Sequence, residues 1–478
     1  VTVVGIDVAT AGVRAFAVAP DGVVLASAAA PLPRPVRSAD GSSEQDARTW
    51  WPAVESVLRQ VCARPEVGPA DAVAVSATSG TVVAVDHRGE PVSPALMYDD
   101  RRGAGENATA AEAGAPRWGA LGTTVAPTAA LGRIAWLRAA YPDAAGVVHT
   151  PEIIAAALTG HPVPTDWSHA LKSGYDPVRR EWASEVFEAL GVPDSWLPGV
   201  VAPTCVLGET RQPIAGLPAH CPVVAGMTDG CAAQLATGAV EPGRFVGILG
   251  TTYVLKGVSE RLVADPWGAL YGHRHPDGWW LVGGASNTGG EGVTGDLACL
   301  DDEAEARGPA RALAYPLARA GERFPFPAPE ARGFLVGDPA DDVELHRARL
   351  EGVAFLERLA LERVHDLGMD VRGPLLAAGG GSASRLWTTI RATVTGRSVQ
   401  VTEHAETAYG AALLAAAATA PGGLSEVCAR VGVRGTVVDP DPAQHDRLEE
   451  SYRRFTGELR RRGWLPGGGA SGGTAVEQ

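Results

Sequence analysis

The sequence predicts an α/β protein of two domains, and three observations carry that expectation. The chain has 478 residues, too many for one hydrophobic core, so two domains are the default. It opens on Val3-Val4-Gly5-Ile6-Asp7-Val8-Ala9-Thr10-Ala11-Gly12-Val13-Arg14-Ala15-Phe16-Ala17-Val18, two apolar runs around a short turn, which reads as a β-hairpin. Near residue 241 the pattern restarts: residues 244–249 read as a buried strand, Gly250-Thr251-Thr252 as a turn and residues 253–257 as a second strand. The echo is loose, because the second copy has no acid matching Asp7. The expected division is residues 1–240, residues 241–465 and a Gly-, Ser- and Ala-rich tail, 466–478, expected to be disordered.

Taken in order, residues 2–8, 14–19 and 23–28 form a meander with Asp21-Gly22 as a turn. Residues 46–63 fit an amphipathic helix through Trp50, Val54, Val57, Leu58 and Val61. Residues 71–77 and 82–86 read as short strands, and 128–140 and 151–158 as helices. Residues 221–229 read as a strand and a turn, with a small-residue helix over 230–236. Leu375-Leu376-Ala377-Ala378 runs as a strand into Gly379-Gly380-Gly381, and a helix with Trp387 and Ile390 follows. Gly103-Ala104-Gly105-Glu106-Asn107-Ala108 nominally fits a GxGxxA phosphate motif, but it follows charged residues rather than a strand and reads as a loop.

Composition excludes several function classes. A hydrophobic fraction of 45% with 20% charged residues is ordinary for a globular protein. The net charge of −14 opposes a nucleic-acid or anionic-membrane partner. The apolar stretches are alanine-rich and interrupted, so no transmembrane helix is expected. No basic segment precedes the first strand, so no signal peptide is expected. The six cysteines (Cys62, Cys205, Cys221, Cys231, Cys299, Cys428) form no CxxC pair, which suits reduced thiols in a cytoplasmic protein. A Walker loop needs Gly-Lys-Ser/Thr, and the only lysines, Lys172 and Lys256, each follow leucine. Asp99-Asp100-Arg101 reads as a solvated or ion-paired turn before it reads as a metal site.

Three consecutive glycines after a strand leave backbone N–H groups open to a flat ring or a phosphate. Asp229, between a strand and a helix, reads either as a helix N-cap or as a general base. Periodicity does not choose between the two.

The combination does. An Asp-ended hairpin with a Thr turn, a strand and turn with Asp229, a Gly-Thr-Thr hairpin and a late triple-glycine turn, in that order, resemble the FGGY carbohydrate kinases. Glu44-Gln45-Asp46 before Trp50-Trp51, Thr165-Asp166-Trp167-Ser168-His169-Ala170 and Ala408-Tyr409-Gly410-Ala411-Ala412 add to the likeness, which runs from about Val3 to about Leu465. Within the family, Leu96-Met97-Tyr98-Asp99-Asp100-Arg101, residues 283–290 and Gly321-Glu322-Arg323-Phe324-Pro325 are most similar to the D-ribulose kinases of cyanobacteria and plants.

The resemblance implies two actin-like (ribonuclease-H-like) ATPase domains with a cleft between them, where ATP and sugar meet. It implies phosphorylation of a ketopentose, D-ribulose to D-ribulose 5-phosphate first, with Asp229 as the base. Asp7 would hold the Mg²⁺ of Mg-ATP. Thr10, Gly12 and Arg14, with Gly250, Thr251 and Thr252, would meet the phosphates, and Gly379, Gly380, Gly381 and Ser384 the adenosine. Asp7, Ser79, Asp100 and Asp229 would face the sugar. The family usually has glycine where Ala9 stands and often serine where Ala11 stands; a negative φ at position 9 would let the methyl fit.

Xylulose or another small sugar or polyol is the alternative acceptor. A catalytically weakened sugar-binding sensor is the alternative of another class, favoured by Ala9 and Ala11 and opposed by Asp7, Thr10 and Asp229. The sequence leaves the oligomeric state open, a homodimer included.

Overall fold

The computed structural model describes residues 2–293 and 297–465. The tail expected to be disordered therefore lies outside the described residues. The chain divides into two compact units. Unit 1 comprises Val1–Val246, Lys256–Gly283 and Thr402–Gly435; unit 2 comprises Gly247–Leu255, Gly284–Val401 and Thr436–Gln478. These are not two consecutive stretches, so a single cut at residue 240 does not describe them: two later segments pack with unit 1.

Unit 1 is built on β1 (Thr2–Ala9), β2 (Gly12–Val18), β3 (Val24–Pro31), β4 (Ala70–Ala77), β5 (Val206–Glu209) and β6 (Pro222–Val224), in the sheet order β5-β6-β4-β1-β2-β3. The first three strands are the expected meander, antiparallel in register. Strand β4 runs parallel to β1, and β6 runs parallel to β4.

Alternation along β1 sorts its side chains to two faces. Val4, Ile6 and Val8 pack with Trp50, Val54, Val57, Leu58 and Val61 of the helix Trp50–Cys62. Val3, on the other face, joins a core with Leu235 of the helix Asp229–Ala236 and Ala411, Ala412 and Leu414 of the helix Thr407–Thr419. Close approach explains the small residues there: a Cβ on Gly410 would sit 1.9 Å from the carbonyl oxygen of Ala232. A second, five-stranded sheet includes Ser43–Gln45, Ala95–Leu96, Val82–Val85 and Gly146–His149.

Residues 104–108 correct one expectation. They open the helix Ala104–Ala113 rather than forming a loop. The glycine serves packing: a Cβ on Gly103 would lie 2.2 Å from the backbone of Gly132, in the helix Ala130–Ala140. Asn107 locks the pair by donating to Pro127 O and Ala129 O and accepting from Gly132 N.

In unit 2, Gly247–Leu249 neighbours the strand Leu375–Ala378, which runs parallel to Val399–Thr402. The helices Asp342–Asp366 and His445–Arg461 contribute Phe355 and Phe455 to an aromatic group that includes Tyr315 and Phe334. Among the described residues no helix is long and apolar enough to cross a membrane. The described cysteines (Cys62, Cys205, Cys221, Cys231, Cys428) are free thiols.

Candidate active site

Three parallel strands of unit 1 end side by side. In the β1–β4 register Asp7 stands opposite Ser76 and Val8 opposite Ala77, and Ala77 bridges Thr228 just beyond β6. One sheet edge therefore carries Asp7, the turn Ala77-Thr78-Ser79 and the helix start at Asp229. The carboxyl ends of parallel strands are where α/β sheets present ligand-binding groups.

Asp7 shares a face with Val3 and Gly5, the face covered at Gly5 by the helix Thr407–Thr419. Its side chain is 3% exposed. Among the described residues Oδ1 has no hydrogen-bond partner, and Oδ2 lies 3.8 Å from the Arg14 guanidinium. Burial pushes its pKa up to about 7; the charge of Asp229 adds to the rise, and Arg14 opposes it. A buried carboxylate oxygen without a partner, beside a second carboxylate, suits a divalent cation. Mg²⁺ is commonly held by one or two carboxylates together with substrate phosphates.

The turn after β1 is tight: Ala9 pairs with Gly12 across Thr10-Ala11. Ala9 is not among the positive-φ residues, so its methyl sits on an allowed backbone, as the sequence required. Gln45 fastens the turn, donating through Nε2 to Thr10 O and Pro33 O, while its Oε1 accepts from Trp50 Nε1. That role of the Glu44-Gln45-Asp46 segment is invisible in the sequence, because the residues it joins are far apart.

Asp229 is the first residue of its helix, and Thr228 is the N-cap. The cap reading is therefore replaced. The half-buried Asp229 carboxylate accepts only a local bond from Gly230 N, 2.7 Å. Lys256 donates to Gly230 O, and Thr407 Oγ1 donates to Asp229 O, 3.4 Å. Both lysines of the chain act electrostatically on buried His273, whose pKa is driven well down, first by burial and then by Lys172, Lys256 and His169.

Ser79 is half-buried and borders a cavity of about 400 Å³ whose wall includes Tyr98, Trp118, Leu131, Lys172 and Tyr271. Lys172 lies over the Tyr271 ring, 4.3 Å from its centroid. Asp229 does not line this cavity. Asp100 is placed differently from Ser79 and Asp229. Its buried carboxylate accepts from Ser43 N, Arg102 N and the Arg102 guanidinium, which is the ion-paired turn the sequence suggested.

In unit 2, Gly250 and Thr251 are exposed and Thr252 is half-buried. Gly290 N donates to Gly250 O, and Glu291 N donates to Thr251 O. Behind them Glu322 accepts from Ser286 Oγ, Asn287 N and Thr288 Oγ1, so the segment 283–290 and the segment 321–325 fold onto each other. Gly379 needs its glycine: φ is +89°, and a Cβ would meet Leu249 O at 2.5 Å. Gly379 and Gly380 are exposed and Gly381 half-buried. Ser384 Oγ is engaged, accepting from Trp387 N as a helix cap and donating to Asp301. A buried ion pair, Arg391 with Glu357, ties this region together, with Arg391 also donating to Gly247 O and Ser382 Oγ.

Comparison with known proteins identifies the family. The model of the FGGY family of carbohydrate kinases matches as an N-terminal domain over residues 2–236 and as a C-terminal domain over residues 205–419. The xylulose kinase of Streptomyces rubiginosus is 32% identical, over 96% of this chain and 95% of that protein. Among solved structures, the xylulose kinase of Rhodospirillum rubrum superposes with a TM-score of 0.84 at 26% identity, covering 96% of this chain and 99% of that one. A Brucella ovis "xyloylose kinase" superposes with a TM-score of 0.87 at 23% identity, covering 98% and 100%. The fold is thus the two-domain, actin-like (ribonuclease-H-like) ATPase fold.

Proposed function

Because the chain belongs to the FGGY family of carbohydrate kinases, we propose that it transfers the γ-phosphoryl group of ATP to a hydroxyl of a ketopentose, with D-xylulose as the preferred acceptor. The observation that carries this reading is the sheet edge of unit 1, where a buried Asp7 oxygen unpartnered among the described residues lies near the end of β1 and the Asp229 carboxylate lies just beyond β6, the two strands that flank β4.

Asp229 is the proton acceptor. An alcohol is a weak nucleophile, and a carboxylate within hydrogen-bond reach takes its proton as the phosphoryl group arrives. Among the described residues the carboxylate makes no ion pair that would compete for that proton and accepts only from its neighbour Gly230 N. Lys256, anchored on Gly230 O one residue away, adds positive charge where phosphate charge must be offset. Ser79 meets the acceptor from the neighbouring turn. In unit 1, Thr10, Gly12 and Arg14 supply hydroxyl, backbone and guanidinium groups for phosphate oxygens; in unit 2, the Gly250-Thr251-Thr252 turn offers backbone and hydroxyl groups of the same kind. Gly379, Gly380 and Gly381 give the adenosine an unobstructed backbone. Ser384 contributes by fixing the helix that follows, since its hydroxyl is already spent on the cap and on Asp301. Asp7 would hold Mg²⁺, which neutralises phosphate charge when bound.

The choice of D-xylulose rests on the relatives named xylulose kinase, which outweigh the local likeness to D-ribulose kinases. One feature keeps D-ribulose as the second reading: two of the segments that carry that likeness fold onto a common Glu322. Asp100 does not serve as a sugar contact, because its carboxylate is consumed by Arg102 and Ser43 N. The test is ADP release with D-xylulose, D-ribulose, glycerol and gluconate. A pentulose should give the highest kcat/KM. Higher turnover of glycerol or gluconate would overturn the acceptor, and no sugar-dependent ADP release would favour the sensor.

A further inference from the structure

We infer that Asp166, Ser168 and His169 form a buried positioning device that fixes the start of the Asp229 helix and the end of the neighbouring strand β4. The inference deepens the kinase reading and rests on Asp229 being the base.

The device begins at Asp166, the N-cap of the helix Trp167–Lys172, which accepts from Ser168 N at 2.7 Å and His169 N at 3.4 Å. The same carboxylate accepts from Ser168 Oγ at 2.5 Å and from His169 Nδ1. All three residues are 0–1% exposed. From there two bonds leave the helix. Ser168 Oγ accepts from Thr228 N at 2.9 Å, and Thr228 is the N-cap that precedes Asp229. His169 Nε2 donates to Ala77 O at 3.3 Å, and Ala77 is the last residue of β4, two before Ser79.

The chemistry of these bonds makes them rigid. Thr228 has no side-chain cap bond of its own, so the hydroxyl of Ser168 holds the chain at the point where Asp229 departs. A hydroxyl that donates to a carboxylate has its lone pairs turned toward the N–H it accepts, so Asp166 orients Ser168. Both nitrogens of His169 face acceptors, a carboxylate and a carbonyl, an arrangement that favours the doubly protonated ring. Burial alone would lower the His169 pKa, but the charge of Asp166 reverses that and raises it. The ion pair is thus internally neutral and can sit in the core without exposing charge.

A second layer backs the first. The His149 ring lies tilted against His169, 5.7 Å between ring centroids, and bonds Thr165 Oγ1 and Ser173 Oγ at the two ends of the same segment. The device thereby spans two strand ends of the sheet edge, setting the separation between the acceptor turn at Ser79 and the base at Asp229. Misplacing a reacting group by about 1 Å costs up to roughly 100-fold in rate, which is the scale such a device controls.

The experiment compares the wild-type protein with Ser168→Ala and Ser168→Cys. Ser168→Ala removes one hydroxyl and leaves the ion pair intact. Expected are a kcat for the pentulose roughly 10-fold lower, an unchanged KM for ATP and faster amide hydrogen exchange in the peptide covering 225–236. Ser168→Cys, which keeps a weaker acceptor, should give an intermediate kcat and serves alone if Ser168→Ala does not fold. A kcat within twofold of wild type together with unchanged exchange would overturn the inference, whatever the melting temperature. If the wild-type protein turned over no sugar, the kinase reading would fail separately, and the exchange measurement would still decide whether Ser168 holds the Asp229 helix.

Discussion

Asp7→Asn should make the protein more stable at alkaline pH while removing its use of Mg-ATP. The Asp7 side chain is 3% exposed, one oxygen lacks a partner, and burial with the nearby charge of Asp229 raises its pKa from the ordinary 3.8 to about 7. A carboxyl with a raised native pKa contributes stability that is complete below the unfolded value and is lost as pH rises through the native one. In the window between, the native state keeps a proton that the unfolded chain has released. Each pH unit there removes about 1.4 kcal/mol. Between pH 5 and pH 8, without Mg²⁺ or nucleotide, the wild-type protein should therefore lose about 2–3 kcal/mol through this residue. The near-isosteric amide carries no such charge, so its stability curve should be flatter, and the variant should be the more stable form at pH 8. Urea denaturation followed by tryptophan fluorescence at several pH values measures both curves. Mg-ATP at pH 8 should stabilise the wild-type protein more than the variant. Parallel curves for the two proteins would refute the assignment of Asp7 as a strained, ligand-seeking carboxyl.

Ala9→Gly should bring no gain in KM for ATP or in kcat and should lower stability by about 0.4–1 kcal/mol, because Ala9 already lies on negative φ; a clear gain in ATP affinity would show that the methyl obstructs the turn. Glu357→Gln should destabilise unit 2 by about 3–5 kcal/mol, the usual cost of leaving one partner of a buried pair unmatched, because Arg391 loses a carboxylate bonded at 2.6 Å while both side chains are about 1% exposed; urea unfolding of the variant checks it, and a loss under 1 kcal/mol would mean that Gly247 O and Ser382 Oγ suffice for Arg391.

What could be read in advance was local. The opening hairpin announced itself by alternation and by small turn residues, and β1, β2 and β3 follow that pattern. Asp7 was legible because an acid in an apolar run is conspicuous, and the triple glycine because an L-residue would be strained at Gly379. The rest depended on contacts distant in sequence. Residues 104–108 read as a loop because they follow charged residues rather than a strand, yet they open a helix whose start packs through Gly103 on Gly132. Asp229 read equally as a cap or as a base because Asp favours caps, and the fold gives the cap position to Thr228. The acidity of Asp100 suggested a ligand, while Arg102 two residues on had already claimed its carboxylate. Gln45, Ser168 and His169 carry no periodic signal; only the fold brings them to Thr10, Thr228 and Ala77.

The central claim, phosphoryl transfer to a pentulose with Asp229 as the base, is tested most directly by sugar-dependent ADP release from the wild-type protein and from Asp229→Asn, with D-xylulose as acceptor. The amide keeps the shape of the helix start and its cap at Thr228. Wild-type protein should release ADP only when the sugar is present, and the variant should bind D-xylulose but turn it over with a kcat lower by roughly 10²–10⁴. Turnover of the variant at the wild-type rate, or ADP release by the wild-type protein that ignores the sugar, would contradict the account.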